Sequence, residues 1–245
     1  FLCHRMVEAM GGRIEVSSNG FGLTMGTAVT AAGDIIANAN GGALALATDE
    51  AFFEALVAGG SGRIVASNTG GTLEIGVAVT TNGDIVVNGS GGAVTLGFDA
   101  VNPGDIISAG GTGRIDASSS GGALFIGTAT TADGDITANA NGGTLTLTTI
   151  AAGANGDITG VGTADILFGT LATAFNVSLT AGTTINQTTA IDGAANIAAG
   201  SASLTAVTGI GTTGAVEVDL TTLTSALVTG AGLINVTDVA GGVNV

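Results

Sequence analysis

Two tripeptides alternate along this chain at fixed intervals. Gly12-Arg13-Ile14, Gly62-Arg63-Ile64 and Gly113-Arg114-Ile115 start 50 and 51 residues apart, and Gly33-Asp34-Ile35, Gly83-Asp84-Ile85 and Gly134-Asp135-Ile136 keep the same spacing. Each unit splits unequally. The step from GRI to GDI is short and constant, from Gly12 to Gly33 and from Gly62 to Gly83, and the step from GDI to the next GRI is longer. "GRIVASNTGGTLEIGVAVTTN" and "GDIVVNGSGGAVTLGF" follow one template: Gly, a charge, Ile, small and polar residues, Gly, then alternating apolar residues. Internal repetition at this period is the signature of a repeat architecture.

Within the template the apolar residues recur every second position. Ile14/Val16 precede Leu23/Met25, Ile35/Ala37 precede Leu44/Leu46, and the pattern repeats through Ile136/Ala138 and Leu145/Leu147. Period two means strand, and Asn-Gly, Gly-Gly and Ser-Gly pairs separate the strands as turns. A third segment, such as "TAVTAA" or "VAVTTN", is a weaker strand. Hairpins joined at Asn-Gly would build a sandwich or barrel, but they give no reason for a segment to resemble its counterpart after the next charged tripeptide. In a coil of parallel strands each segment stacks on its own equivalent, so the same residue type recurs in every layer. The expectation is an all-β chain, a parallel β-helix (β-solenoid) of about 20–21 residues per coil.

Three stretches are distinguished: a ragged start with a partial repeat over 1–10, a solenoid of 50-residue two-coil repeats over 11–155, and a continuing solenoid of Thr-rich coils over 156–245. The last carries "NVSLTA", "ASLTAV", "VEVDLTTLT" and "INVTDV" in turns of much the same length. About eight surplus residues precede each GRI, in "DEAFFEALVAGGSGRI" and "DAVNPGDIISAGGTGRI". They read as an excursion from every second coil, packing Phe52, Phe53, Leu56 and Val57 in one copy and Val101 and Ile106 in another. Departures from a repeat are where solenoids vary their surface, so Phe52–Val57 and Val101–Ile107 are the candidate receptor-contacting segments.

Stacking turns the charged slot into a column of Arg13, Asp34, Arg63, Asp84, Arg114 and Asp135, about 4.8 Å apart. Opposite charges gain little at an exposed site, about 0.2–1 kcal/mol, but a slip of one coil would put Arg over Arg, so the column is expected to set register. Arg63 should therefore lie one coil from Asp34 or Asp84. Asp157 has no basic partner. A second column alternates Ser17, Ser67 and Ser118 with Asn38, Asn88 and Asn139, and is expected to maintain a corner.

Composition removes several functions. A net charge of −15, with four Arg and no Lys, leaves no basic footprint for nucleic acid or an anionic membrane surface. The longest greasy stretch, "AFFEALVAGG", is too short to span a bilayer and holds a Glu. Cys3 and His4 lack a third ligand or orienting group. Gly160 to Gly169, "GVGTADILFG", faintly echoes a calcium-binding nonapeptide but occurs once. Acids are spread one or two per coil, so no catalytic, cofactor-binding or metal-binding residue is assigned and an enzyme is not expected. Three or more carboxylates or Arg in one groove would instead favour a polysaccharide-active β-helix enzyme. A surface-layer-like Ca²⁺-binding solenoid is a further alternative.

"GDITANANGGTLTLTT" and "GRIDASSSGGALFIGTATTADGDI" resemble the β-strand repeats of filamentous-haemagglutinin-like adhesins and autotransporter passenger domains. The Thr-rich stretch from "LTAVTGIGTTG" to "INVTDVAGG" is similar to repeats of the same large exoproteins, so the resemblance spans about 11–245. It implies a right-handed parallel β-helix, located extracellularly or on the outer cell surface, acting in adhesion, aggregation or biofilm. The expected role is a structural and adhesive stalk segment, part of a longer chain. Its expected partner is a host or cell-surface receptor or glycan, with no nucleic acid and no membrane insertion of this segment. Ten to twelve coils would make a rod of about 50–60 Å.

Overall fold

The computed structural model describes residues 2–3, 7–9, 12–48, 54–97 and 105–244, the first two stretches as strand backbone. Within them the chain is all β with no helix, and its strands stack in parallel as a β-solenoid of about ten turns. The stacking is consistent with the right-handed winding that parallel crossovers adopt. A coil has three faces. The first complete one runs through Ile14–Asn19, Leu23–Met25 and Ala28–Thr30, and the next through Ile35–Asn40, Leu44–Leu46 and Leu56–Ala58. On the first face Ile14 pairs with Ile35, Ile35 with Ile64, Ile64 with Ile85, Ile85 with Ile115 and Ile115 with Ile136. The ladder continues through Ile158, Val177 and Ala202 to Leu223, and the coil from Val177 to Ala202 is the longest of these.

The strand alternation aims one residue in two at the axis, and these stack into columns. The Ile column of the first face is buried from Ile14 to Ile158, and beside it Leu23, Leu44, Leu73, Val94, Leu124 and Leu145 line the second face. The third face alternates in size: Ala28, Leu56, Ala78, Ile107 and Ala129 stack in that order. Up to Ala129 the large residue falls in every second coil, so the core there repeats every two coils, and beyond it Ile150, Leu171, Ile197 and Val218 put a large residue in every coil.

The glycine opening each tripeptide has a steric cause. A Cβ on Gly83 would lie 2.1 Å from the carbonyl oxygen of Gly62, and one on Gly62 would lie 2.2 Å from that of Gly33. Gly113, Gly134 and Gly156 each meet the glycine one coil below in the same way. Backbone rests on backbone along this column, leaving no space for a methyl group.

The corner before that glycine alternates too. Buried Thr30, Thr80 and Thr131 donate their hydroxyls to the carbonyls of Gly33, Gly83 and Gly134, three residues on. In the intervening coils Ala58 and Ala109 take the Thr place. There Gly62 N–H donates to Gly59 O and Gly113 N–H to Gly110 O, both at 3.0 Å.

Further along, corners straighten. Leu124–Thr131, Leu145–Ala151 and Ile166–Ala172 each run through the second and third faces without a break. Ile197–Ala206 and Val216–Val228 instead join the third face to the next coil's first. The straightened corner is thus transferred between Ile166–Ala172 and Ile197–Ala206, and the ladder runs without interruption across residue 155, where the sequence pattern changes.

Candidate functional site

The departures from the repeat emerge on one edge, between the second and third faces. Nine residues separate Leu46 from Leu56 and ten separate Leu96 from Ile107, whereas the odd coils close the same corner with two residues. Left-handed backbone starts both excursions, at Ala47 (φ 48°) and Gly97 (φ 55°). An acid stands at the foot of each. Glu54 is nearly buried, its Oε1 2.1 Å from where a Cβ on Gly26 would sit, and Asp105 Oδ2 lies 3.2 Å from the same point on Gly76. Those glycines in the coil below leave room for the carboxylates.

This placement corrects the expectation of an excursion directly before GRI. Leu56 and Val57 are ordinary third-face residues, Leu56 buried over Ala28 and Val57 facing out over Val29. Ile106 accepts the N–H of Ala78 through its carbonyl at 3.0 Å, and Ile107 fills the core. The insertion comes before these strands, because their in–out alternation already matches that of the uninserted coils. Phe52, Phe53 and Val101 lie outside the described residues.

A third excursion of similar length, 188–196, occupies the same edge between Thr184–Gln187 and Ile197–Ala206. Asn196 stands at its foot and donates Nδ2–H to Gly169 O in the coil below at 2.8 Å. Sequence reasoning missed this loop because no GRI marks it. The wide spacing from Val177 to Ala202 was the available signal.

The charged slot does form a column, with a division of labour. Arg63 donates its backbone N–H to Asp34 Oδ1 at 2.8 Å and its guanidinium to Oδ2 at 3.0 Å. Those bonds, the side-chain one first, hold the Asp34 carboxyl below its usual range. The backbone bond recurs where the ion pair does not: Asp84 accepts the N–H of Arg114, Asp135 that of Asp157 and Asp157 that of Asn176, at 2.9, 3.0 and 3.1 Å. Arg13 turns to Glu15 on its own strand, 2.7 Å away, and among the described residues Arg114 closes no ion pair. Each Asp therefore serves first as acceptor for an N–H of the next coil, which is why the column outlives its arginines. The Ser/Asn column lies within strands rather than at a corner, with Ser67 donating to Asn38 at 2.6 Å and Ser118 to Asn88 at 2.9 Å.

Four charged residues, Asp84, Arg114, Asp116 and Asp135, line a hollow of about 170 Å³ together with Thr137. Asp84 and Asp135 keep one oxygen each on the ladder bonds just described. In the Gly160–Gly169 stretch, Asp165 accepts the hydroxyls of Thr183 and Thr184 and the N–H of Thr184, which pulls its carboxyl below the usual range. It caps the next coil. Among the described residues no three metal-ligating side chains cluster. Cys3 is placed only as strand backbone beside Met25, and His4 lies outside the described residues. No family model matches the chain, and no curated protein or solved structure matches it.

Proposed function

We propose that the chain is a structural and adhesive stalk segment of a large bacterial cell-surface or secreted exoprotein, acting outside the cell. The observation that carries this reading is the unbroken parallel ladder. Each first-face strand from Ile35 to Ala206 pairs with the strand below and the strand above, so force along the axis is shared by bonds in every coil. Ten turns at about 4.8 Å make a stiff rod of about 48 Å. The excursions on one edge give it a side that differs from the repeat, and that side is the surface for a receptor or glycan.

Beads coated with the purified chain test the adhesive part. They should attach to cultured cells or to an arrayed glycan, and replacing 47–55 and 97–106 with the Gly-Thr corner of the first coil should remove most attachment while the β-sheet circular dichroism stays. Beads that never attach, or attach equally without the excursions, overturn it.

One observation favours a second reading. Asp84, Arg114, Asp116 and Asp135 share one hollow, and paired carboxylates beside a cation suit acid–base cleavage of a polysaccharide. Release of reducing ends or unsaturated sugars from acidic or neutral polysaccharides, lost in R114A and D116N, would establish it. No release from any of them would dismiss it.

A further inference from the structure

Glu217 is a carboxylate buried where strand parity points it outward. Val216 and Val218 on either side fill the core and Asp219, the next outward residue, is exposed, yet Glu217 is only 2 % exposed. The segment 188–196 of the preceding coil covers it. Glu217 Oε1 accepts the N–H of Gly193 at 2.7 Å, and Oε2 accepts the N–H of Asp192 at 3.3 Å and Nε2–H of Gln187 at 3.2 Å. The backbone of Glu217 completes the clasp, donating to Gln187 Oε1 at 2.9 Å and accepting from Asn196 N–H at 2.8 Å.

Every donor to this carboxylate is a neutral amide, and no basic residue follows Arg114 in the chain. The titratable groups on the elements around it are Asp192 on the segment itself, Asp219 on the same strand and Asp238 on the strand of the next coil. None can supply a countercharge. The segment it holds is exposed from Thr188 to Ala194, and beyond the clasp its apolar contact is Ile191, whose Cδ1 lies 2.8 Å from where a Cβ on Gly214 would sit.

We propose that 188–196 is a strap latched across the next coil by the Glu217 carboxylate, and that protonating this one group releases it. An ionised carboxylate only accepts hydrogen bonds, whereas a protonated one presents an O–H donor to amides that are themselves donors. Acid therefore turns one of the three contacts from attraction to opposition. The strap lifts between Thr188, whose N–H and hydroxyl stay on Phe168 O, and Asn196, whose Nδ2–H stays on Gly169 O, and uncovers the outward side of Val216–Leu220 while the core columns remain closed.

Amide hydrogen exchange across pH, corrected for the intrinsic rate, tests this in the whole chain. At neutral pH the amides of Asp192 and Gly193 should be protected, and in acid they should lose protection while those of Ile197 and Val218 keep theirs. E217Q should speed exchange at 192 and 193 about tenfold or more at neutral pH and remove the pH dependence. D192N, which leaves the latch in place, should keep it. Wild-type protection in E217Q, loss of the pH dependence in D192N, or strap and core opening together in the wild-type chain would each overturn the latch. The last comparison decides the matter even if E217Q does not fold.

Discussion

Arg63 stands one coil above Asp34 and takes both of its carboxylate oxygens, one with the backbone N–H and one with the guanidinium. The two bonds differ in worth. The guanidinium is exposed and solvent-screened, so R63A should cost about 0–1 kcal/mol. D34A leaves the Arg63 N–H without its acceptor as well and should cost about 1–2 kcal/mol. D34N keeps an acceptor oxygen and should fall near R63A. Urea midpoints of the three variants check the order, and an R63A that destabilises more than D34A would refute it.

Acid should weaken the ladder in a defined window. Asp34 and Asp165 are both held below the ordinary carboxyl value of 3.8 by hydrogen bonds from the next coil. A depressed folded-state value means that the stabilisation is complete above the ordinary value and disappears as pH falls through the lower one. Thermal midpoints should be flat from neutral pH to about 5 and drop below about 4. D165N should lose stability at neutral pH and show a shallower acid decline, and an unchanged decline would show that other groups govern it.

The two excursions differ at their first residue, which gives a paired test. Ala47 sits at φ 48° where its counterpart Gly97 sits at φ 55°. An L-residue in left-handed backbone costs about 1–2 kcal/mol, so A47G should raise stability by about 1 kcal/mol and G97A should lower it by at least as much. Gly97 also has the Thr128 carbonyl 2.6 Å from its would-be Cβ, which adds to the loss. Calorimetry of the two variants should show midpoint shifts of opposite sign.

The glycine column gives the sharpest local contrast. G83A would put a methyl 2.1 Å from Gly62 O and force the coils apart, at about 1–3 kcal/mol. The exposed turn residue Gly20 has nothing within 4 Å of its Cβ position, so G20A carries only the penalty of its φ of 80°. A G83A midpoint equal to that of the unsubstituted chain would mean that the column can spread at no cost.

Parallel stacking, register and inward columns were legible because they depend on what repeats. Ile14, Ile35 and Ile64 have to stack if the unequal steps between the tripeptides are turns of one coil, and they do. What stayed hidden depends on where backbone groups find partners. The charge of Asp34 is visible in a sequence, but the N–H of Arg63 that needs an acceptor is not. The excursion was misplaced for a related reason: GRI is a vivid landmark and Leu56-Val57-Ala58 is a faint one, so the surplus was counted back from the wrong reference. Glu217 is harder still. Its parity says outward, and only a loop of the preceding coil, folded across it, makes it interior.

The alternation of Ala28, Leu56, Ala78 and Ile107 on the third face has a consequence for how this rod can vary in length. Removing one coil would stack Ala on Ala or Leu on Ile, and would set a Thr corner on a Thr corner. Removing two restores every neighbour. From Ala28 to Ala129, lengthening and shortening should therefore proceed in paired coils, so that related chains differ there by steps of about 10 Å and by whole blocks of 50 or 51 residues.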